Sequence, residues 1–282
     1  MMHSSITISL VPEAKGGPFV FWGDLATHCR QAAELGFEAV EIFAPSPAAL
    51  AGDGVSAILA KYNLKLAAAG TGAGWVIHRL RLTDPDAEVR QKARKFVGEM
   101  IDAAGSLGAP AIVGSMQGRF EGAVSREQCL QWLADALSEL GERAAAHRVP
   151  LLFEPLNRYE SNVINSVEDG VVLLNRLQTR NVKLLADLFH MNIEERTIPE
   201  AIRFAASAIG HVHFVDSNRL AAGRGHIDFA SVVAALRDIG YRGYLSAEAL
   251  PFPDSITAAA QTIKAFNAFV GKFNERSAPD ER

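Results

Sequence analysis

Short apolar runs alternate along the chain with longer stretches in which apolar residues recur every three to four positions. The runs at 6–10, 39–43, 65–69, 111–113, 151–154, 183–187, 211–215 and 244–248 are mostly apolar on both faces. That is the pattern of parallel strands covered by helices on the outer face, not of strands with one wet side. The intervening stretches carry helix signals. Asp24 opens the first, which ends at Leu35-Gly36, and Ser46-Pro47 opens the second. Asp84-Pro85 opens the third, where Val89, Ala93, Phe96, Met100 and Ala104 form a stripe that stops at Gly108. Ser125 with Gln128 and Thr197 with Glu200 read as capping boxes, while Ser166, Asp228 and Ser255 read as further helix starts.

Eight β-then-α units without a linker or low-complexity break predict an α/β fold, a single (β/α)8 TIM barrel over 1–273 with a polar tail at 274–282. The rival is a doubly wound open sheet, which wants a glycine fingerprint after its first strand. Here LVPEAKGGPF supplies only a glycine pair.

Composition narrows the function. The 282 residues carry 32 acidic and 28 basic side chains, a formal net charge of −4, with no basic block. Nucleic acid is therefore not expected as a partner. Cys29 and Cys129 form no CxxC pair, so reduced thiols and a cytoplasmic location are expected. Neither a secretory leader nor a run of about 18 apolar residues is evident, so no membrane span is expected.

Four of the runs deliver a metal-capable side chain at the C-terminal end: Glu154, Asp187, His213 and Glu248, spaced by about 26 to about 35 residues. In a barrel these ends converge on the active site. Side chains alternate along a strand, so Glu154 shares a face with Leu152, Asp187 with Leu185, and His213 with His211. One such residue alone would be read as a cap or a salt-bridge partner; four on successive strands read as a metal site. Three carboxylates and one imidazole suit a hard or borderline divalent ion, Mn²⁺ first and then Co²⁺ or Mg²⁺. The absence of cysteine there argues against structural zinc.

The segments EPLNRYE, ADLFHMNIEE, HVHFVDSNR and GYLSAE resemble the ketose 3-epimerases of the xylose-isomerase-like TIM-barrel superfamily, typified by D-tagatose 3-epimerase. The likeness is specific from residue 151 to 250 and architectural before that. DSNR, GRGHIDF and GTGAGW look most like the 5-keto-L-gluconate epimerase branch. The resemblance implies metal ligands at Glu154, Asp187, His213 and Glu248, with Glu154 and Glu248 also the acid/base pair. It implies substrate contacts at Glu160, His190 and Arg219, a small ketose or keto sugar acid as substrate, inversion at C3 through an enediolate, and a homo-oligomer.

Two other activities use the same barrel. An aldose–ketose or hydroxypyruvate-type isomerase would share the enediolate and return the proton elsewhere. An endonuclease IV-like repair nuclease needs a trinuclear zinc cluster with histidines after strands three and four, where this chain has AAAGTG and IVGSMQG. It ranks below both. His211 reads as a core hydrogen-bonding residue, and Phe21, Trp22 and Trp75 either wall the pocket or pack. The 223–225 glycine loop has the shape of a phosphate cradle but lacks a Lys or Ser/Thr cluster, so a non-phosphorylated substrate is favoured. Arg219 and Arg224 could instead receive a carboxylate.

Overall fold

The computed structural model describes residues 1–51 and 53–271. Among them run nine strands: β1 (His3–Ser9), β2 (Phe21–Trp22), β3 (Ala39–Phe43), β4 (Lys65–Gly70), β5 (Ala111–Val113), β6 (Leu151–Phe153), β7 (Val182–Asp187), β8 (Ile209–His213) and β9 (Tyr244–Ala247). Every pairing is parallel, β3 to β9 follow one another in chain order, and β1 joins both β3 and β9. The sheet therefore closes into an eight-stranded (β/α)8 TIM barrel. The two-residue β2 is an addition. It pairs with Ile8 and Ser9, above the His3–Ile6 stretch that β9 covers.

Helices between the strands cover the outside. Asp24, Ser125, Ser166 and Asp228 cap their helices by accepting from the amides of Thr27, Gln128, Asp169 and Ser231. Three of the expected helix openings differ in their capping. Asp86, not Asp84, caps Ala87–Ser106, because Asp84 is taken by the Arg81 guanidinium. Asp254 rather than Ser255 caps Ser255–Val270, and the Thr197 side chain makes no capping bond. Two strands also shift: β1 begins at His3, and β8 ends at His213 because Val215 turns back to bridge Ala221. The expected polar tail at 274–282 lies outside the described residues. No helix among the described residues is long and apolar enough to cross a membrane.

The hydrophobic core has two compartments. A large one lies between sheet and helices; a small one, Ala68, Ile112, Leu152 and Leu185, fills the barrel interior. Leu152 and Leu185 sit two residues before Glu154 and Asp187, so the apolar plug lies one layer beneath the carboxylates. The plug keeps that layer dry and gives the polar groups above it a rigid floor. Leu185→Ala would leave a void that a closed barrel cannot collapse to fill. It is expected to lower the unfolding free energy by about 2–5 kcal/mol, read from urea denaturation.

Candidate metal centre

β7 and β8 end on their functional residues, Asp187 and His213, while Glu154 and Glu248 follow the last residues of β6 and β9. One candidate ligand atom from each of the four lies within 4.8 Å of all the others. His213 is the centre of the group. Its Nδ1 is 3.0 Å from Asp187 Oδ2, 3.5 Å from Glu154 Oε1 and 3.7 Å from Glu248 Oε2. Asp187 divides its oxygens: Oδ1 accepts from the amides of Phe189 and His190, capping Leu188–Glu194, and Oδ2 faces the site. Glu154 needs the glycine at 114, where a Cβ would come within 2.3 Å of its Oε2.

The electrostatics are those of a cation site. Burial alone would raise the Asp187 carboxyl, but His190 and a hydrogen bond from His213 outweigh it and hold the group well below the usual range. Glu248 goes the other way. Burial pushes it up to about 7, with Glu154 and Asp187 adding repulsion that His213 and Arg219 only partly offset. Burial works against a charged His213, yet Glu41 and Glu248 raise it well above its ordinary value. Glu154 Oε1 is buried with no hydrogen-bond partner. Three carboxylates, one imidazole and an orphaned carboxylate oxygen are a donor set that fits a divalent metal ion.

Beside the group, the Asn157 backbone amide and side-chain amide both donate to His190 Nδ1, at 3.3 and 2.7 Å. The Asn157 amide is itself oriented, because its oxygen accepts from Tyr159 N and its nitrogen donates to Glu160. His190 therefore carries its proton on Nε2, which is buried, unpartnered and 3.7 Å from Glu154 Oε1. Arg219 donates to Glu160 at 2.9 Å and to Glu248 at 2.7 Å, and its guanidinium lies 4.7 Å from the Phe189 ring centroid. Its backbone is left-handed, φ +60°, an uncommon conformation for a non-glycine residue.

Glu154, His213, Glu248, Glu160, His190 and Arg219 line a cavity of about 300 Å³ at the barrel mouth. Its apolar wall includes Phe19 and Phe43, stacked at 4.6 Å, and of the two readings open for Phe21, Trp22 and Trp75 it is packing that holds. Phe21 is buried against His28; Trp22 donates to Phe19 O and faces a neighbouring cavity; Trp75 packs under Arg79 and Arg81. The 223–225 loop is no phosphate cradle, because the Asp216 carboxylate fills it. The carboxylate accepts from the amides of Ser217, Gly223 and Ile227. Arg224 does not line the cavity, and His78 stacks edge-on with Phe96 outside it. Sequence reasoning missed Asn157, Phe19, Phe43 and Glu41. The last is an inward carboxylate on β3, accepting from His211 and His213, with the signal that it is charged in an otherwise apolar strand.

Fold and site together define a class, and comparison with known proteins gives it a family. Residues 29–268 match the model of the Xylose isomerase-like TIM barrel, and the chain belongs to that family. Within it the chain is similar to sugar epimerases. It is 30% identical over 239 residues to the D-psicose 3-epimerase of Ruminiclostridium cellulolyticum, covering 80% of each chain. Over 113 residues, 40% of this chain and 43% of the relative, it is 34% identical to the 3-dehydro-D-guloside 4-epimerase of Escherichia coli. The crystal structure of D-allulose 3-epimerase from Methylomonas sp. in complex with D-allulose superposes with a TM-score of 0.80 at 25% identity, over 95% of this chain and 97% of that one.

A divalent ion must displace protons to enter this cluster. The Glu248 carboxyl, raised to about 7, is protonated below that pH, and His213 holds its proton more tightly than an ordinary histidine. Affinity for Mn²⁺, used as a probe, is therefore expected to rise as pH increases through 7, with net proton release on binding. Calorimetry in buffers of differing ionisation enthalpy reads both. Affinity that does not change with pH would contradict this electrostatic account.

Proposed function

We propose that the protein is a metal-dependent carbohydrate epimerase that inverts C3 of a ketose or keto sugar acid. The observation that carries this reading is the convergence of Glu154 and Glu248, from β6 and β9, on one buried cluster with Asp187 and His213. These four would hold the ion, with Mn²⁺ preferred and Co²⁺ or Mg²⁺ as alternatives. When bound, such an ion supplies Lewis-acid stabilisation to adjacent substrate oxygens.

The remaining chemistry belongs to the chain. One of the two glutamates removes the proton from the carbon beside the ketone, and the other returns a proton to the opposite face. His190 Nε2–H and Arg219 donate to substrate oxygens as negative charge develops on them, and Glu160 orients Arg219. The stacked pair Phe19 and Phe43 shields the substrate's C–H face from water.

The substrate is a small, non-phosphorylated molecule, in keeping with the Asp216-filled loop. The same reading takes the protein as cytoplasmic and homo-oligomeric, without nucleic acid as a partner. The endonuclease alternative lacks its histidines: β4 and β5 are followed by Thr71-Gly72 and Gly114-Ser115. The Escherichia coli relative supports a second reading, inversion at C4 of a keto-glycoside.

Two experiments test the proposal. Chelation should abolish turnover and lower the melting temperature, since an ion bound only to the native state stabilises it by mass action. Full activity in metal-free protein would contradict the reading. The second experiment incubates Glu154→Gln and Glu248→Gln with keto sugars and keto sugar acids in deuterated water. Each variant should lose net epimerisation by at least about 100-fold, the usual contribution of a positioned acid or base. Each should still label C3 of one configuration, because the surviving carboxylate can exchange the proton on its own face. Label at C4 would move the inverted centre, and label at C1 with aldose accumulating would make the enzyme an isomerase.

A further inference from the structure

The proposed chemistry leaves one buried charged group without a task. Glu41 lies in the middle of β3, 4% exposed, and its carboxylate reaches across the barrel interior to β8. There Oε2 is 2.8 Å from His211 Nε2 and Oε1 is 3.2 Å from His213 Nε2. Both histidines are 1% exposed. Each oxygen of Glu41 faces one imidazole nitrogen, the arrangement of a carboxylate accepting from two N–H donors.

An ionised carboxylate can only accept hydrogen bonds. The His213 nitrogen facing Glu41 must therefore carry a proton, and a neutral imidazole has only one N–H. Once a metal displaces the Nδ1 proton that His213 shares with Asp187, the lone pair is on Nδ1, the nitrogen that faces Asp187, Glu154 and Glu248. His211 completes the arrangement. By donating to the other Glu41 oxygen it stops the carboxylate from rotating away, which accounts for a second buried histidine two residues before His213 on the same strand face.

We propose that Glu41 is a positioning residue that holds His213 in the Nε2–H form, directing Nδ1 at the metal, with His211 as its clamp. This rests on the reading of His213 as a ligand. The energetic logic is general: a ligating histidine whose other N–H is fixed by a carboxylate is both oriented and made more basic, and loss of such a partner weakens metal affinity about 10–100-fold.

The test is a Mn²⁺ titration of metal-free wild type, Glu41→Gln and His213→Ala, well below their melting temperatures. It is paired with ¹⁵N-histidine NMR of the Mg²⁺-loaded proteins. Glu41→Gln keeps the shape but removes the charge, so its dissociation constant should rise about 10–100-fold. Its His213 Nε2–H resonance should move upfield and exchange faster with water. An unchanged dissociation constant with an unchanged Nε2–H resonance would overturn the proposal, even if the variant melts at a lower temperature. A purely structural brace would give that pattern. Should Glu41→Gln not fold, Glu41→Asp keeps the charge but is one methylene too short to reach His213, and the same two readouts decide. His213→Ala separates the two levels of inference. Retained affinity there removes His213 from the site itself, whereas lost affinity there with intact affinity in the Glu41 variants sinks only the role of Glu41.

Discussion

The upper half of the barrel is built around one imidazole set between carboxylates. His213 has Glu41 on its Nε2 side and Asp187, Glu154 and Glu248 on its Nδ1 side. Burying that much like charge is unfavourable, because each carboxylate gives up water that its neighbours cannot replace. The protein's own donors meet part of the demand. Arg219 neutralises Glu248 and Glu160 from the rim, and His190 approaches Glu154. An oxygen of Glu154 is still left unpartnered. The cluster is thus one whose charge and unpartnered oxygen fit a divalent cation.

Closed parallel topology makes such an arrangement tolerable. Because all strands of the barrel run the same way, their C-terminal ends meet at one mouth, and alternation puts every second side chain inside. Two residues below the carboxylates, Leu152 and Leu185 close the interior with Ala68 and Ile112. The charged layer therefore stands on a dry apolar floor and is held laterally by the barrel hydrogen bonds. The loops that finish the site are tied to each other as well. Leu250 N donates to Arg219 O, joining the loop after β9 to the loop after β8, and Asp216 folds the latter around itself. Arg219 keeps its left-handed backbone because these contacts leave it no other position.

Much of this was legible in the sequence, for reasons that also explain what was not. Buried parallel strands are apolar on both faces and recur once per unit, so their number and the fold followed directly. The same lack of alternation hides their ends, which is why β1 and β8 were displaced by two or three residues. Caps such as Ser125, Ser166 and Asp228 depend on bonds three residues away and could be read locally. The choice between Asp84 and Asp86 turned on Arg81, whose reach is set by the tertiary fold. Glu154, Asp187, His213 and Glu248 stood out because strand ends deliver them one per unit. Glu41 did not, since its partners lie 170 and 172 residues away and it stands mid-strand. Which aromatics reach the cavity was open for a related reason. Trp22 and Trp75 are the larger rings, but Phe19 and Phe43 are the ones the backbone brings to the cavity.

The cavity also constrains what can enter it. Its polar side is rich in donors and acceptors at short range, and its opposite side is a stacked pair of phenylalanines. A polyhydroxylated carbon chain matches that asymmetry, with hydroxyls toward the charged wall and C–H bonds toward the rings. A phosphate does not. Amides of the loop after β8 that could have received it are already bound to Asp216, and a Cβ on Gly225 would lie 2.3 Å from that carboxylate. An incoming phosphate would meet a fixed negative charge where a phosphate site needs free N–H groups. Arg219 already shares its charge with Glu160 and Glu248, which leaves one N–H on each terminal nitrogen for a substrate oxygen. Releasing it to bind a phosphate would leave Glu248 with less positive charge beside it and raise its pKa further. A phosphate held by Arg219 would therefore be coupled to the protonation of Glu248.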